Sequence, residues 1–253
     1  MTTVVKDNML HIDDLKGKKP HFTKNGNIKL GESMWVWSTM KGGDNEKRPI
    51  KDFENKLCSG TCGDNCKVCT KSCYVNRSYR YESVIKGHAI NTVWIKENPT
   101  ETFNILSKQL ERAKEKPQQI RINQSGEIMT STELLGWIAL ARKNTNTKFY
   151  VYTKNYKIVE EVILESNKNK LPGNLTILIS IWHNEGVKEY ERLKKYSNIK
   201  AFVYDDGELE IKPTTYCMAY NEEGKLNHNV TCDKCKKCFN RNNNHKIIGC
   251  KSH

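Results

Sequence analysis

The sequence predicts an α/β fold in which helices cover a parallel sheet. Apolar runs typical of strands alternate four times with helical apolar patterns over residues 99–204, an order that favours parallel strands joined by helices. Residues 175–182 are almost continuously apolar, as a strand buried on both faces requires. A closed eight-stranded barrel takes about 200 residues or more. We therefore expect either a partial (β/α) barrel or an open parallel sheet.

The individual elements follow from apolar periodicity and from residues that begin or end helices. Strands are predicted at residues 34–39, 119–123, 148–153, 175–182 and 199–204. Helices are predicted where apolar residues recur three or four positions apart, at 103–113, 134–141, 158–163 and 187–193. The second of these follows Thr130-Ser-Thr-Glu133, which matches a capping box. Its core-facing side is predicted to carry Leu134, Leu135, Ile138 and Ala141.

The chain divides into three parts by composition. Residues 1–98 hold an N-terminal arm, the first strand and a first group of cysteines, residues 99–212 hold the βα repeats, and residues 213–253 form a C-terminal cysteine-rich module. Ligands of parallel sheets gather where the strands end at their carboxyl termini. The loops at 125–127, 153–155 and 183–185 are therefore the first places to seek a binding site.

Composition narrows the class of protein. The chain has 253 residues, 37% of them hydrophobic and 28% charged, as in globular domains. No apolar run approaches the roughly 18 residues that a membrane span needs, and residues 1–19 lack the apolar core of a secretory signal. We therefore expect a cytoplasmic protein that has no membrane partner. The net charge of +13 makes nucleic acid a candidate partner.

Ten cysteines fall into two groups, and the 143 residues between the groups contain none. The first group is Cys58, Cys62, Cys66, Cys69 and Cys73, and the second is Cys217, Cys232, Cys235, Cys238 and Cys250. Because the cytosol keeps thiols reduced, such clustering indicates metal binding rather than disulfides. Soft thiolates suit iron–sulfur clusters, so we expect one or two [4Fe–4S] clusters.

The second group has two consecutive gaps of two residues, between Cys232, Cys235 and Cys238. This spacing matches the start of the bacterial ferredoxin run. The fourth ligand is either Cys217 or Cys250. A structural zinc site with four cysteines is the alternative for the same residues.

The first group contains Cys62-x3-Cys66-x2-Cys69, a spacing that resembles the radical S-adenosylmethionine enzymes. The resemblance implies a partial βα barrel, three thiolate ligands and an open iron that binds S-adenosylmethionine. It also implies a reductant such as ferredoxin or flavodoxin. The residues that correspond to the cofactor-binding strand ends of that family are Ser125, Gly126, Glu127, Thr153, Lys154 and Ser180. A fourth thiolate ligand from Cys58 or Cys73 would occupy the open iron, which could then no longer bind S-adenosylmethionine.

A second resemblance spans most of the chain. Cys58-Ser-Gly-Thr, Cys73-Tyr74, residues 121–127, Tyr152-Thr-Lys and the 232–238 cysteines resemble the phage-borne gene-product-88-like family. Ser59, Glu127 and Cys250 depart from the residues typical of that family. The resemblance implies a phage or mobile-element origin and hence a bacterial host cytoplasm. It implies no particular reaction or substrate.

Three hypotheses of function follow. The leading one is an iron–sulfur protein with radical-S-adenosylmethionine-like architecture, an enzyme if its N-terminal cluster keeps an open iron. The second is a non-catalytic cluster protein for electron transfer, sensing or host takeover. The third is a zinc-stabilised nucleic-acid-binding protein. No residue is assigned a catalytic role by the sequence.

Overall fold

The computed structural model describes residues 10–24, 29–42, 50–51, 60–63, 69, 73–165, 171–205, 207–221, 225–240 and 244–251. The described strands are β1 Leu10–His11, β2 Thr23–Lys24, β3 Met34–Val36, β4 Ile50–Lys51, β5 Gln119–Ile122, β6 Lys148–Thr153, β7 Leu175–Ile181, β8 Ile199–Tyr204, β9 Thr215–Tyr216 and β10 Ile247–Cys250. The described α-helices are α1 Val75–Ser78, α2 Glu82–Glu97, α3 Pro99–Glu111, α4 Ser131–Lys143, α5 Tyr156–Glu165, α6 Asn184–Leu193 and α7 Cys232–Cys235.

Eight of the described strands form one sheet in the order β2-β3-β5-β6-β7-β8-β10-β9. All neighbours are parallel except β2 and β3. The predicted α/β class with a mostly parallel sheet is confirmed. The sheet ends at β2 and β9, so the described strands form an open sheet rather than a closed barrel. β1 and β4 pair separately.

The connecting helices α2 to α6 lie on one face of this sheet. From β3 to β8 the strands follow one another across the sheet in chain order. Right-handed crossovers that advance in one direction place every connecting helix on the same side. Consistent with this, α2 to α6 contact one another in sequence order. None of the described helices is both long and apolar enough to cross a membrane.

Alternate side chains along each strand serve the two faces of the sheet. The helix-facing side carries the main core, including Ile120, Phe149, Ile177 and Ala201. The opposite face carries a second apolar cluster that includes Tyr150, Leu178, Phe202, Phe239 and Ile248, with Cys217, Cys232 and Cys238 packed against it. The C-terminal cysteine segment therefore covers the face that the helices leave open.

Most predicted elements agree with the structure to within a few residues, and two differences are informative. Leu135 is 46% exposed, whereas Leu134, Ile138 and Ala141 are buried. The prediction that Leu135 faces the core was wrong, because it lies one residue, about 100° of helix, from Leu134. The helix at Glu82–Glu97 was not predicted, because it buries polar residues such as Asn91 together with its apolar ones.

The predicted cap at the start of α4 is confirmed for Thr130, but Glu133 bonds to the residue before the cap rather than to the cap itself. Thr130 Oγ1 accepts a hydrogen bond from the Glu133 N–H at 3.1 Å, and Glu133 Oε2 accepts one from the Met129 N–H at 2.9 Å. Glu133 is only 1% exposed, and this burial raises the pKa of its carboxyl to about 8. The side chain is therefore protonated at neutral pH, which suits a carboxyl held among apolar residues.

We predict that Glu133→Gln makes stability less dependent on pH. The unfolded carboxyl loses its proton near pH 4.5 while the folded one keeps it to about pH 8. Folding stability therefore falls as pH rises through that window. Each unit of pKa difference corresponds to about 1.4 kcal/mol. Urea unfolding of Glu133→Gln at pH 5 and pH 8 should show a smaller loss than the natural protein. Glu161→Gln, at an exposed position of α5, should behave like the natural protein, and an unchanged slope in Glu133→Gln would contradict the prediction.

Candidate functional site

A cavity of about 270 Å³ lies over the helix-free face of the sheet, near the carboxyl ends of β5, β6 and β7. It is lined by cysteines from both groups, namely Cys62, Cys69, Cys73, Cys217, Cys232, Cys235 and Cys238. Cys58 and Cys66 lie outside the described residues. Cys250 is buried on β10 and does not line the cavity. The fold thus brings two cysteine groups that are distant in sequence to one place.

Hydrogen bonds fix the chain immediately before Cys62 to the ends of β3 and β5. The Thr61 N–H donates to the Met40 carbonyl at 3.0 Å. The Thr61 hydroxyl lies 2.8 Å from the Thr39 hydroxyl and accepts the Glu127 N–H at 2.8 Å. All three side chains are buried. The start of the first cysteine loop is therefore held against the sheet. Thr61 belongs to the Cys58-Ser-Gly-Thr motif, but this role of Thr61 and Thr39 was not predicted.

Tyr74 joins the first cysteine group to the end of β5. It follows Cys73, and its hydroxyl donates to the Gln124 carbonyl. Burial raises the pKa of the Tyr74 hydroxyl, so it remains a hydrogen-bond donor at neutral pH. Cys73 also packs against an apolar cluster that includes Met40 and Val75. Cys73 therefore contributes to local packing as well as to the cavity wall.

The second cysteine group is built on α7 and held from two sides. The Cys232 N–H donates to the Lys29 carbonyl at 2.8 Å, and the Cys217 N–H donates to the Gly249 carbonyl at 2.8 Å. Lys236 has a positive φ of 59°, and this left-handed residue ends the helical turn before Cys238. These contacts bring Cys217 beside the three cysteines of residues 232–238.

Lys200 anchors the chain after α7. Its side chain is completely buried on β8, and its ammonium donates to the carbonyls of Lys237 at 2.8 Å and Asn240 at 2.7 Å. Burial lowers the pKa of Lys200 to about 8. A buried amine with two carbonyl acceptors fixes the segment that carries Cys238, because leaving those carbonyls unpaired would cost about 1–3 kcal/mol each.

The four cysteines of the second group influence one another electrostatically. Burial together with the neighbouring Cys217, Cys232 and Cys235 raises the pKa of the Cys238 thiol to about 12, against a lowering by the Tyr152 hydroxyl. Burial also raises the pKa of Cys232. Without a metal the thiols of Cys232 and Cys238 are protonated at neutral pH. Metal binding would therefore have to release protons from them.

In the part of the chain that the structure describes, no three His, Cys, Asp or Glu side chains are arranged to hold a metal ion. A tetrahedral zinc site with Zn–S bonds of about 2.3 Å places its sulfurs about 3.8 Å apart. The described cysteines thus surround one cavity without forming a ligand set for a single ion.

The predicted strand-end residues lie at the cavity, with one exception. Ser125, Gly126, Glu127, Lys154 and Ser180 line it. Thr153 is buried beside it, where its hydroxyl accepts the Asn155 N–H at 3.0 Å. The strand ends therefore converge as the sequence predicted. Thr153 does not line the cavity itself but packs next to the residues that do.

Glu127 is the carboxylate of this wall. Its side chain is 3% exposed and accepts the N–H groups of Ile128 and Lys154, each at 2.9 Å. Burial raises the pKa of the carboxyl, and the nearby Lys154 lowers it. Glu127 therefore ties the end of β5 to the end of β6. Its remaining acceptor positions face a site where a ligand could donate hydrogen bonds.

Unpartnered polar atoms mark β5 and its extension. Nine buried side-chain polar atoms of the described residues lack a hydrogen-bond partner, and five of them belong to Gln119, Arg121, Asn123 and Ser125. Both amide atoms of Asn123 are among them, and Asn123 has a positive φ of 51°. A buried amide without partners in a strained backbone conformation points to a functional role. Asn123 lies within the 121–127 motif, but it was not predicted as a ligand-binding residue.

Positive charge dominates the described lining of the cavity. Its cations are Lys29, Lys41, Arg121, Lys154, Lys236 and Lys237, whereas Glu127 is its only carboxylate among the described lining residues. The Arg121 guanidinium lies 4.6 Å from the centre of the Tyr152 ring, and the Lys29 ammonium lies 4.1 Å from that of Tyr220. Such a lining favours an anionic occupant.

Comparison with known proteins gives one relationship. No curated protein and no solved structure shows a significant match to the chain. The family described as Gene product 88 matches over residues 16–244, which include most of the sheet and both cysteine groups up to Cys238. That match covers most of the chain and agrees with the resemblance seen in its cysteine and strand-end motifs, so the chain belongs to the phage gene product 88 family.

Proposed function

We propose that this protein is an iron–sulfur protein whose two cysteine groups each hold a [4Fe–4S] cluster at the shared cavity. The observation that carries the proposal is the convergence of seven cysteines from two distant segments on one cavity. Soft thiolates are the usual ligands of iron–sulfur clusters. The cationic lining supports an anionic occupant, because four thiolates on a [4Fe–4S]²⁺ core carry a net charge of −2.

The structure supports a division of the cysteines between the clusters. We assign Cys217, Cys232, Cys235 and Cys238 to the C-terminal cluster, since their thiols influence one another and Cys250 does not line the cavity. We assign Cys62, Cys66 and Cys69 to the N-terminal cluster from their spacing. Cys73 packs against the cluster of Met40 and Val75, which supports a packing role for it.

Three thiolate ligands would leave one iron to bind S-adenosylmethionine, and polar groups at the strand ends would be available to hold that cofactor. The unpartnered amide of Asn123 and hydroxyl of Ser125 are buried in the cavity wall, where a polar ligand would satisfy them. Glu127 offers acceptor positions to an ammonium, and Lys154 offers positive charge to a carboxylate. When bound, the cluster would supply one electron for reductive cleavage of the cofactor.

The protein's own residues would then bind, orient and shield the cofactor. Glu127 keeps the ends of β5 and β6 at a fixed separation through its two backbone hydrogen bonds. Ser180 is held by the Trp182 indole N–H, which donates to its hydroxyl at 3.1 Å. Trp182 also stacks on Tyr204 with ring centres 4.6 Å apart. These contacts keep the β7 end of the cavity rigid and apolar.

Electron paramagnetic resonance of the anaerobically reconstituted and reduced protein tests this proposal. We expect cluster signals, a change of one signal on addition of S-adenosylmethionine, and 5′-deoxyadenosine among the products. Cys73→Ala should retain iron and the response to the cofactor. Resonance signals that do not change on addition of S-adenosylmethionine would contradict the proposal, as would loss of the N-terminal cluster in Cys73→Ala. Either result would indicate a fully ligated cluster that only transfers electrons.

Replacing Asn123 with glycine should weaken binding of S-adenosylmethionine at least about tenfold. Glycine adopts a positive φ without strain, so the variant removes the amide while the backbone keeps its shape. Loss of one well-placed polar contact of about 1.4 kcal/mol corresponds to that factor. Equilibrium dialysis with labelled cofactor would measure it. Asn104→Ala, at an exposed position of α3, is the control. Equal affinity of the two variants for S-adenosylmethionine would show that Asn123 does not contact the cofactor.

A further inference from the structure

We infer that Arg121 is a positively charged bridge between the two cysteine groups, and that Tyr152 carries its influence to Cys238. Arg121 and Tyr152 together would raise the reduction potential of the C-terminal cluster. Arg121 alone would raise the reduction potential of the N-terminal cluster. This inference rests on the proposed function. It assigns to Arg121 and Tyr152 a role that the spacing of the cysteines does not reveal.

The geometry on the C-terminal side is well defined. Arg121 lies on the helix-free face of β5 and stacks 4.6 Å from the centre of the Tyr152 ring. Phe202 packs edge-on against the same ring, with centres 4.9 Å apart and planes at 90°. Held between these two neighbours, Tyr152 lines the cavity together with Cys238 and packs against the same apolar cluster, and its hydroxyl lowers the pKa of the Cys238 thiol. A cation over a phenol ring makes its hydroxyl a stronger donor, because positive charge withdraws electron density from the oxygen.

On the N-terminal side Arg121 reaches the first cysteine group through Tyr74. Arg121 lines the same cavity as Tyr74 and as the proposed ligands Cys62, Cys69 and Cys232. The Tyr74 hydroxyl is anchored to the Gln124 carbonyl, three residues beyond Arg121. One guanidinium therefore lies between the residues that carry the two groups.

The cation itself lacks a counter-charge within the described residues. None of the ion pairs between described residues includes Arg121, and its buried Nε has no hydrogen-bond partner. Arg121 is half-buried, and taking a cation out of water without an ion-pair partner is costly. An anionic cluster at the cysteines on either side would supply the missing charge. Because reduction adds negative charge to a cluster, a nearby cation and a hydrogen bond to its sulfur both favour the reduced state.

Potentiometric titration followed by electron paramagnetic resonance tests the inference on reconstituted full-length protein. Arg121→Met should move both reduction potentials to more negative values, and Arg121→Lys should restore most of the shift. Tyr152→Phe removes only the hydroxyl and should lower the C-terminal potential alone. Tyr190→Phe is the matched control, because Tyr190 packs in the main core on the helix-facing side of the sheet and does not line the cavity, so loss of its hydroxyl should move neither potential.

Assignment of the two potentials uses the Cys232→Ser/Cys235→Ser double variant, in which only the N-terminal signal should remain. Iron is counted in every sample before titration. Variants that keep their iron and match the wild-type potentials would overturn the inference and leave the proposed function standing. A wild-type protein without iron after reconstitution would overturn the proposed function and the inference with it.

Discussion

Replacing Gly126 with alanine is expected to destabilise the protein by about 2–5 kcal/mol, the sum of a left-handed backbone and an overpacked core. Gly126 has a φ of +87°, and an added Cβ would lie 1.8 Å from the Thr39 hydroxyl and 2.4 Å from the Thr61 hydroxyl. Those hydroxyls hold the chain before Cys62 to the sheet. The substitution should therefore also impair metal loading of the first cysteine group. Chemical denaturation and iron content after reconstitution measure the two effects.

Gly17→Ala separates backbone strain from steric clash. Gly17 has a φ of +74° and would meet nothing within 4 Å with an added Cβ. That variant should lose only the about 1–2 kcal/mol of a left-handed alanine and should retain its iron. If Gly126→Ala were no less stable than Gly17→Ala, the close contact between the first cysteine loop and the end of β5 would be wrong.

The second large effect is expected when Cys217 is replaced by serine. The N–H of Cys217 is fixed to Gly249, and its thiol lines the cavity with the other three cysteines of the second group. Loss of one of four thiolate ligands should remove the C-terminal cluster, and with it about half of the iron that two four-iron clusters contain. Anaerobic iron and sulfide analysis of reconstituted protein measures this loss.

Cys250→Ser provides the matched control for Cys217→Ser. Cys250 is 2% exposed on β10 and lies outside the cavity lining. Its replacement should leave the iron content unchanged while costing some stability, because a polar hydroxyl replaces a buried thiol. The reverse result, with iron lost from Cys250→Ser and kept in Cys217→Ser, would assign the fourth ligand to Cys250.

The parallel sheet was predictable because its strands carry a strong local signal. β6 and β8 coincide with the predicted runs at 148–153 and 199–204, and β5 and β7 each end one residue earlier than predicted. Insertion of β10 between β8 and β9 was not predictable. Its four residues follow a long polar stretch, and pairing between strands distant in sequence leaves no trace in either strand alone.

In the candidate site too, features set by neighbouring residues were predictable, whereas contacts between residues distant in sequence were not. The strand-end residues Ser125 to Glu127 were predicted at the site because motif order and strand position are local features. The meeting of the two cysteine groups depends on which face of the sheet the helices leave open. Arg121 and Asn123 were missed as site residues because their importance lies in unpartnered buried atoms, which only a three-dimensional arrangement reveals.

The most direct test of this account is the metal content of the protein purified without exposure to oxygen. We predict a brown protein that contains about eight iron and eight sulfide ions per chain, as two [4Fe–4S] clusters require. Iron and zinc would be counted together by mass spectrometry, and sulfide by a colorimetric assay. A colourless protein with stoichiometric zinc and no sulfide would contradict the account and support the zinc-stabilised nucleic-acid-binding alternative.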